Sequence, residues 1–232
     1  KKQNDLSLVG VKNQRLLASI NSGGKSGFSV RSKVINTLKN LNTDHKFLLD
    51  FGSGKGELLQ ILFKTFKFKK LCGIDLYKKS KKLSNKIDWI KTDLNNNIKL
   101  KNKFDFIICT EVIEHLENPR QTLRNIHDLM KPKSTLILTM PNNESIRALV
   151  AIIFGGHFAL FLGNSYPAHI TALLKLDLIR ICKEIGFSNL SFFYTDNGCV
   201  PKFTRLTWQN LSYGLLKGKY FSDNILMIAK KK

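Results

Sequence analysis

The segment LLDFGSGKGELLQIL (residues 48–62) runs from an apolar strand through three glycines and straight into an amphipathic helix. Glycine is needed where a chain turns through conformations that a Cβ obstructs, and where a ligand must approach bare backbone. The spacing is G-x-G-x-G at Gly52, Gly54 and Gly56, with an acidic residue, Asp50, ahead of it. A dinucleotide fingerprint reads G-x-G-x-x-G instead, which disfavours a nicotinamide-dependent oxidoreductase. Taken alone, the motif also fits a glycine-rich turn with no ligand.

Nineteen residues past Gly56, the next apolar run closes on Gly73-Ile74-Asp75-Leu76. A carboxylate at the tip of a second parallel strand is placed to accept both hydroxyls of an adenosyl ribose. Further out, β-type runs at 46–51, 70–75, 86–91, 104–110, 134–140, 189–195 and 223–230 alternate with helical patterns at 56–66, 119–130, 143–154 and 176–185. Gly186 ends the last of these helices, as glycine commonly does. The alternation predicts a doubly wound, Rossmann-like α/β sheet of seven mostly parallel strands with helices on both faces. No clear crossover helix joins the last two runs, so the last strand is expected to be antiparallel.

Apolar spacing at Val30, Val34, Leu38 and Leu41 predicts a helix over 29–41 beside the sheet, with a flexible hinge at 23–27 ahead of it. Residues 1–45 therefore read as an N-terminal helical extension and 46–232 as the main domain. Residues 141–172 and 196–222 fall outside the alternation. The first reads as a lid or substrate segment and the second as an insertion between the last two strands, because such excursions near strand ends carry recognition.

On these residues the chain resembles class I S-adenosylmethionine-dependent methyltransferases, whose first motif is an acidic residue followed by G-x-G-x-G. The resemblance implies that Asp50 holds the amino group of the cofactor and that Gly52, Ser53, Gly54 and Gly56 lie along its amino-acid and ribose parts. It assigns the ribose hydroxyls to Asp75, with Leu76 beside it. Asp93 and Leu94, in Thr92-Asp93-Leu94, are implied at the adenine edge, although Asp after a strand is also a common turn or helix cap. Thr110 and Glu111, in FDFIICTEVIEHLENP (104–119), are implied at the methionine end.

Glu111, Glu114 and His115 stand at i, i+3 and i+4, one face of a helical turn, and His169 follows in SYPAHIT. This E-x-x-E-H pattern with a distant His resembles the ubiquinone-pathway O-methyltransferases and the enzymes that methylate the terminal 2′-hydroxyl of small RNAs. It implies a divalent-cation site (Mg, Mn, Fe or Zn) built from Glu111, Glu114, His115 and His169, with Glu114 and His115 catalytic. His115 as a metal-free general base, or as a packing residue, stays open. The expected reaction is methyl transfer to a small-molecule hydroxyl: a quinone precursor, a lipid, or a sugar or polysaccharide intermediate. An RNA 2′-O-methyltransferase and a non-catalytic cofactor-binding or membrane-docked protein are the alternatives. The match covers roughly 48–187, and Ile-Thr after His169 and the connection 196–222 depart from the pattern.

Composition bounds the remaining choices. The 232 residues suit one domain. The net charge of +21 points toward anionic partners, but thirty-one lysines against seven arginines, spread along the chain, also read as compositional drift. Cys72, Cys109, Cys182 and Cys199 form no metal-spaced pair, so no zinc framework or disulfide scaffold is expected, and the compartment reads as a reducing cytoplasm. No apolar run with a cleavage site follows the first residues, so no secretory signal is expected. The apolar run 148–162 is broken by Gly155, Gly156 and His157 and falls short of the ~20 residues that span a bilayer. In the ubiquinone-pathway group an apolar segment here caps the active site and touches membrane, which implies a peripheral contact with anionic lipid. Oligomeric state has no signal.

Overall fold

The structure is a computed structural model that describes residues 10–24, 26–163 and 165–232. Two helices, α1 (Val11–Asn21) and α2 (Phe28–Lys39), precede β1 (Phe47–Phe51), α3 (Glu57–Thr65), β2 (Lys70–Asp75), β3 (Asp88–Lys91) and β4 (Phe104–Thr110). Then follow α4 (Pro119–Leu129), β5 (Met130–Pro141), α5 (Ile146–Gly155), α6 (Lys175–Ile185), β6 (Phe187–Tyr194), β7 (Cys199–Val200), β8 (Phe203–Thr207), α7 (Trp208–Leu211) and β9 (Asn224–Lys231). Seven strands form one sheet in the order β3-β2-β1-β4-β5-β9-β6. β9 alone runs antiparallel to its neighbours β5 and β6, as expected from the missing crossover.

Strand side chains alternate between the two faces of the sheet. Leu49, Phe51, Ile107, Cys109, Leu136 and Leu138 join the core beneath α4 and α6. Their neighbours Leu48, Phe106, Ile108 and Ile137 join the core beneath α2 and α3, where Val34 and Leu38 are fully buried. Both faces are thus covered, which the near-continuous apolar runs require. The chain leaves β1 toward β2 and β3 on one side and returns to β4 on the other. That reversal opens a crevice beyond the carboxyl ends of β1 and β4, where doubly wound sheets bind ligands.

Some expectations shift in detail. The helix expected from 143 begins at Ile146, because Ser145 caps it by accepting a hydrogen bond from the Ala148 amide. Asn142 and Asn143 are spent on bridging: Asn142 donates to the carbonyls of Lys219 and Ser222, and Asn143 donates to that of Leu173. The insertion 196–222 holds a two-stranded hairpin, β7 with β8, followed by α7. The first nine residues of the N-terminal extension lie outside the described residues. α1, which the apolar pattern did not reveal, sits over the sheet's carboxyl edge, and α2 belongs to the sheet's own core.

Candidate active site

The crevice is a cleft of about 440 Å³. Its wall includes Asp50, Gly52, Ser53, Gly54, Asp75, Leu76, Asp93, Leu94, Thr110, Glu111, Glu114, His115 and His169. Gly56 is not on that wall. It caps α3 in a left-handed conformation (φ 81°), and a Cβ there would lie 2.4 Å from Leu83, so its glycine serves the turn and its packing. Gly52 (φ 85°) and Gly54 (φ 55°) are also left-handed, and added Cβ atoms would lie 2.3 Å from the Val112 side chain and from the Gly24 carbonyl oxygen. These glycines thus answer first to neighbouring protein, and the loop's open side faces the cleft.

The glycine loop and Asp75 converge. The Gly54 amide donates to Asp75 Oδ2 at 2.7 Å and the Tyr77 amide to Oδ1 at 2.9 Å. The Ser53 hydroxyl donates to the Asp50 carbonyl and accepts from the Ile74 amide, which knits the ends of β1 and β2 together. Each carboxylate oxygen of Asp75 keeps acceptor capacity after these bonds. Burial raises its pKa, against the pull of the Tyr77 and Gly54 amides. Asp50 is harsher: burial, with the nearby Asp75 charge, pushes its pKa up to about 8, and its Oδ1 has no hydrogen-bond partner. A buried carboxylate left in that state fits an ammonium group arriving from the cleft.

At the far wall Asp93 is already engaged. Its Oδ1 accepts from the Asn95 amide, a turn-capping bond, and its Oδ2 pairs with Arg15 at 2.9 Å. Arg15, Arg31 and Tyr77 line the cleft too, and none was singled out from the sequence. Arg31 projects from α2 and pairs with Glu57 at 3.0 Å. Only the folded path of α1 and α2 brings these cations to the cofactor motif.

The acidic segment after β4 splits. Glu111, at φ 53°, turns its carboxylate away from the histidines: Oε2 accepts from the Gly27 amide at 2.8 Å and Oε1 from the Asn224 side chain at 3.1 Å. Glu114, His115 and His169 come together instead, with one potential ligand atom from each within 4.8 Å of the others. The short helical turn Ile113–His115 aims the first two inward. The segment carrying His169 docks on that turn, since the amides of Ile170 and Thr171 both donate to the Glu114 carbonyl at 3.0 Å. His115 Nδ1 lies 2.8 Å from the Ala168 carbonyl. That oxygen only accepts, so Nδ1 carries the proton and Nε2 is the basic nitrogen.

Burial lowers the His115 pKa to about 4, partly offset by the Ala168 and Glu111 carbonyls, so the ring is neutral at pH 7. Burial raises the Glu114 pKa well above the ordinary range. Glu114 Oε2 and His169 Nδ1 are buried without hydrogen-bond partners, the deficit a bound cation relieves.

The sequence profile described as "Methyltransferase domain" matches residues 28–191. A ubiquinone biosynthesis O-methyltransferase of Glaesserella parasuis serovar 5 (strain SH0165) is 29% identical over 86 residues, 37% of this chain and 36% of that protein. The chain spans well under half the length of the curated relatives it matches. Among solved structures, a SAM-dependent methyltransferase from Archaeoglobus fulgidus superposes with a TM-score of 0.57 at 19% identity, covering 87% of this chain and 93% of that one. The plantazolicin methyltransferase BamL, in complex with a triazolic desmethylPZN analogue and SAH, gives 0.62 at 17% identity, covering 97% and 92%. At such identities these two bear on the fold alone. The profile match takes in the glycine loop, Asp75 and the Glu114-His115 turn within one alignment, and the chain belongs to the methyltransferase domain family.

Proposed function

We propose that this protein transfers a methyl group from S-adenosylmethionine to the hydroxyl of a small molecule. The observation that supports it is the meeting of Glu114, His115 and His169 on the wall of a cleft whose other side is the glycine loop with Asp75. S-adenosylmethionine, when bound, supplies the methyl group as an electrophilic sulfonium substituent. Asp50 pairs with its ammonium, Asp75 accepts from the ribose hydroxyls, and Leu76, Asp93 and Leu94 form the adenine wall. Thr110 and Glu111 line the methionine end, and Arg31, which shares the cleft wall and is paired with Glu57, is the cation offered to the carboxylate.

In-line displacement needs donor and acceptor aligned and one proton removed from the acceptor. Neutral His115, fixed by the Ala168 carbonyl, can accept that proton at Nε2. Glu114, His115 and His169 are also a ligand set suited to a divalent cation, which lowers the pKa of a hydroxyl bound to it. From the segment 141–172, Tyr166, Pro167, His169 and Ile170 line the cleft and are the residues proposed to select the acceptor. α5 exposes Ile153 (71%) and Phe154 (83%), and the insertion exposes Phe203, Tyr213 and Leu215. No helix among the described residues is long and apolar enough to cross a membrane, so the proposed lipid contact is peripheral.

The test is transfer of labelled methyl from S-adenosylmethionine to a panel of phenols, quinols, sugars and short RNA, with and without anionic vesicles. Label on a small hydroxyl compound, with vesicle binding that weakens on Phe154→Ser, is the expected result. Label on RNA alone, lost steeply with salt, would make the acceptor a nucleic acid.

A further inference from the structure

α1 is amphipathic with its faces reversed. Gln14, Arg15, Ala18 and Ser19 line the cleft, while Leu16, Leu17 and Ile20 face solvent. Among the described residues of α1 none is buried. A helix in a folded protein is ordinarily held by the apolar stripe it buries. That contribution is missing here, so α1 is held by polar ties.

The ties are specific. Arg15 grips Glu117 with two parallel bonds, Nε to Oε1 at 2.8 Å and Nη2 to Oε2 at 2.6 Å, while its Nη1 reaches Asp93 Oδ2 at 2.9 Å. The Tyr77 hydroxyl donates to the Ser19 carbonyl at 2.5 Å. Just after the helix, the Lys55 amide donates to the Gly24 carbonyl at 3.0 Å, and the Gly27 amide donates to Glu111 Oε2 at 2.8 Å. These partners follow β1, β2, β3 and β4, so the segment roofs all four loops that build the cleft. Behind it, Gly23 (φ 71°) and Gly24 (φ 61°) adopt conformations that favour glycine, and α2 beyond them is fixed in the core by Val30, Val34 and Leu38. The roof is jointed to a rigid element, and among the described residues its fastenings are the polar contacts named above.

We propose that α1 is a gate over the cofactor and that Arg15 is its latch, a positioning residue that acts through Asp93 and Glu117. The assignment rests on S-adenosylmethionine being the ligand of this cleft. The latch differs from an ordinary surface pair in geometry, because a bidentate guanidinium-carboxylate fork is fixed in orientation, with Arg15 23% and Glu117 48% exposed, and because the same guanidinium also holds the less exposed Asp93. Opening it frees the Asp93 carboxylate and lifts the roof for cofactor exchange. Closing it clamps the β3 and β4 loops about the bound nucleoside.

The experiment is a chase of labelled S-adenosylhomocysteine from the full chain by excess unlabelled ligand, at several salt concentrations. Arg15→Ala should release the ligand at least about fivefold faster and raise the KM for S-adenosylmethionine in proportion, with kcat at saturation within about twofold. Arg15→Lys, which keeps the charge and loses the fork, should fall between. Release from the wild type should quicken with salt, and release from Arg15→Ala should not. The charge-swapped pair Arg15→Glu with Glu117→Arg should recover part of the slow release, which a merely structural arginine would not give. A wild type that binds the ligand while Arg15→Ala releases it at the same rate overturns the latch alone. A wild type that binds no S-adenosylhomocysteine overturns the cofactor assignment and the latch with it.

Discussion

Replacing His115 with alanine is expected to lower the single-turnover rate of methyl transfer by about 100- to 10,000-fold, the range for a positioned acid-base group. Affinity for S-adenosylmethionine should stay within about threefold, because the proposed cofactor contacts are Asp50 and Asp75, whereas His115 packs with His169 and Glu114. In the proposed mechanism His115 acts through Nε2, since Nδ1 is committed to the Ala168 carbonyl. Two routes lead to the same loss, and a second variant separates them. If His115 is a metal-free base, His169→Ala should cost far less and chelation should cost nothing. If a cation sits among Glu114, His115 and His169, both variants and chelation should abolish turnover, with activity restored by added Mn or Mg. Full activity in His115→Ala would remove this residue from the mechanism.

The second large effect joins function to stability. Asp50→Asn should weaken cofactor binding about 10- to 100-fold, through loss of a charge-assisted bond to the ammonium. It should also make the ligand-free protein more stable, raising its thermal midpoint by about 2–8 °C. The sign follows from the buried carboxyl's pKa, pushed from 3.8 to about 8 by burial and by Asp75. Between those values the folded protein keeps a proton that the unfolded chain has released. Stability therefore falls as pH rises from about 4 to about 8, then levels. In Asp50→Asn that slope should become shallower, the part that stays being owed to Asp75, Glu111 and Glu114, whose carboxyls burial also shifts upward. Thermal unfolding of the ligand-free proteins across this range checks it, and an unchanged slope would show that Asp50 is ionised in the free cleft.

Much of the architecture was legible because its causes are local. Period-two and period-3.6 apolar patterns mark strands and helices directly, and the missing crossover before β9 marked its reversal. The meeting of the glycine loop with the strand-end carboxylate was legible because such glycines and carboxylates are rare chemical choices, and Asp75 does accept from the Gly54 amide. α1 was hidden for a physical reason. Its inward face is polar, so a search for an apolar stripe finds Leu16, Leu17 and Ile20 and would turn the helix the wrong way. Arg15 and Arg31 were missed with it, as their partners Asp93, Glu117 and Glu57 are 78, 102 and 26 residues away in sequence. Helical spacing also grouped Glu111 with Glu114 and His115. A left-handed residue at Glu111 breaks that face and sends its carboxylate to Gly27 and Asn224.

Calorimetric titration of the full chain with S-adenosylhomocysteine, wild type beside Asp75→Ala, goes to the centre of this account. One molecule should bind per chain, and the variant should bind about 10- to 100-fold more weakly, because two buried charge-assisted contacts to the ribose are lost. Equal affinity in the two proteins, or no binding by the wild type, would contradict it.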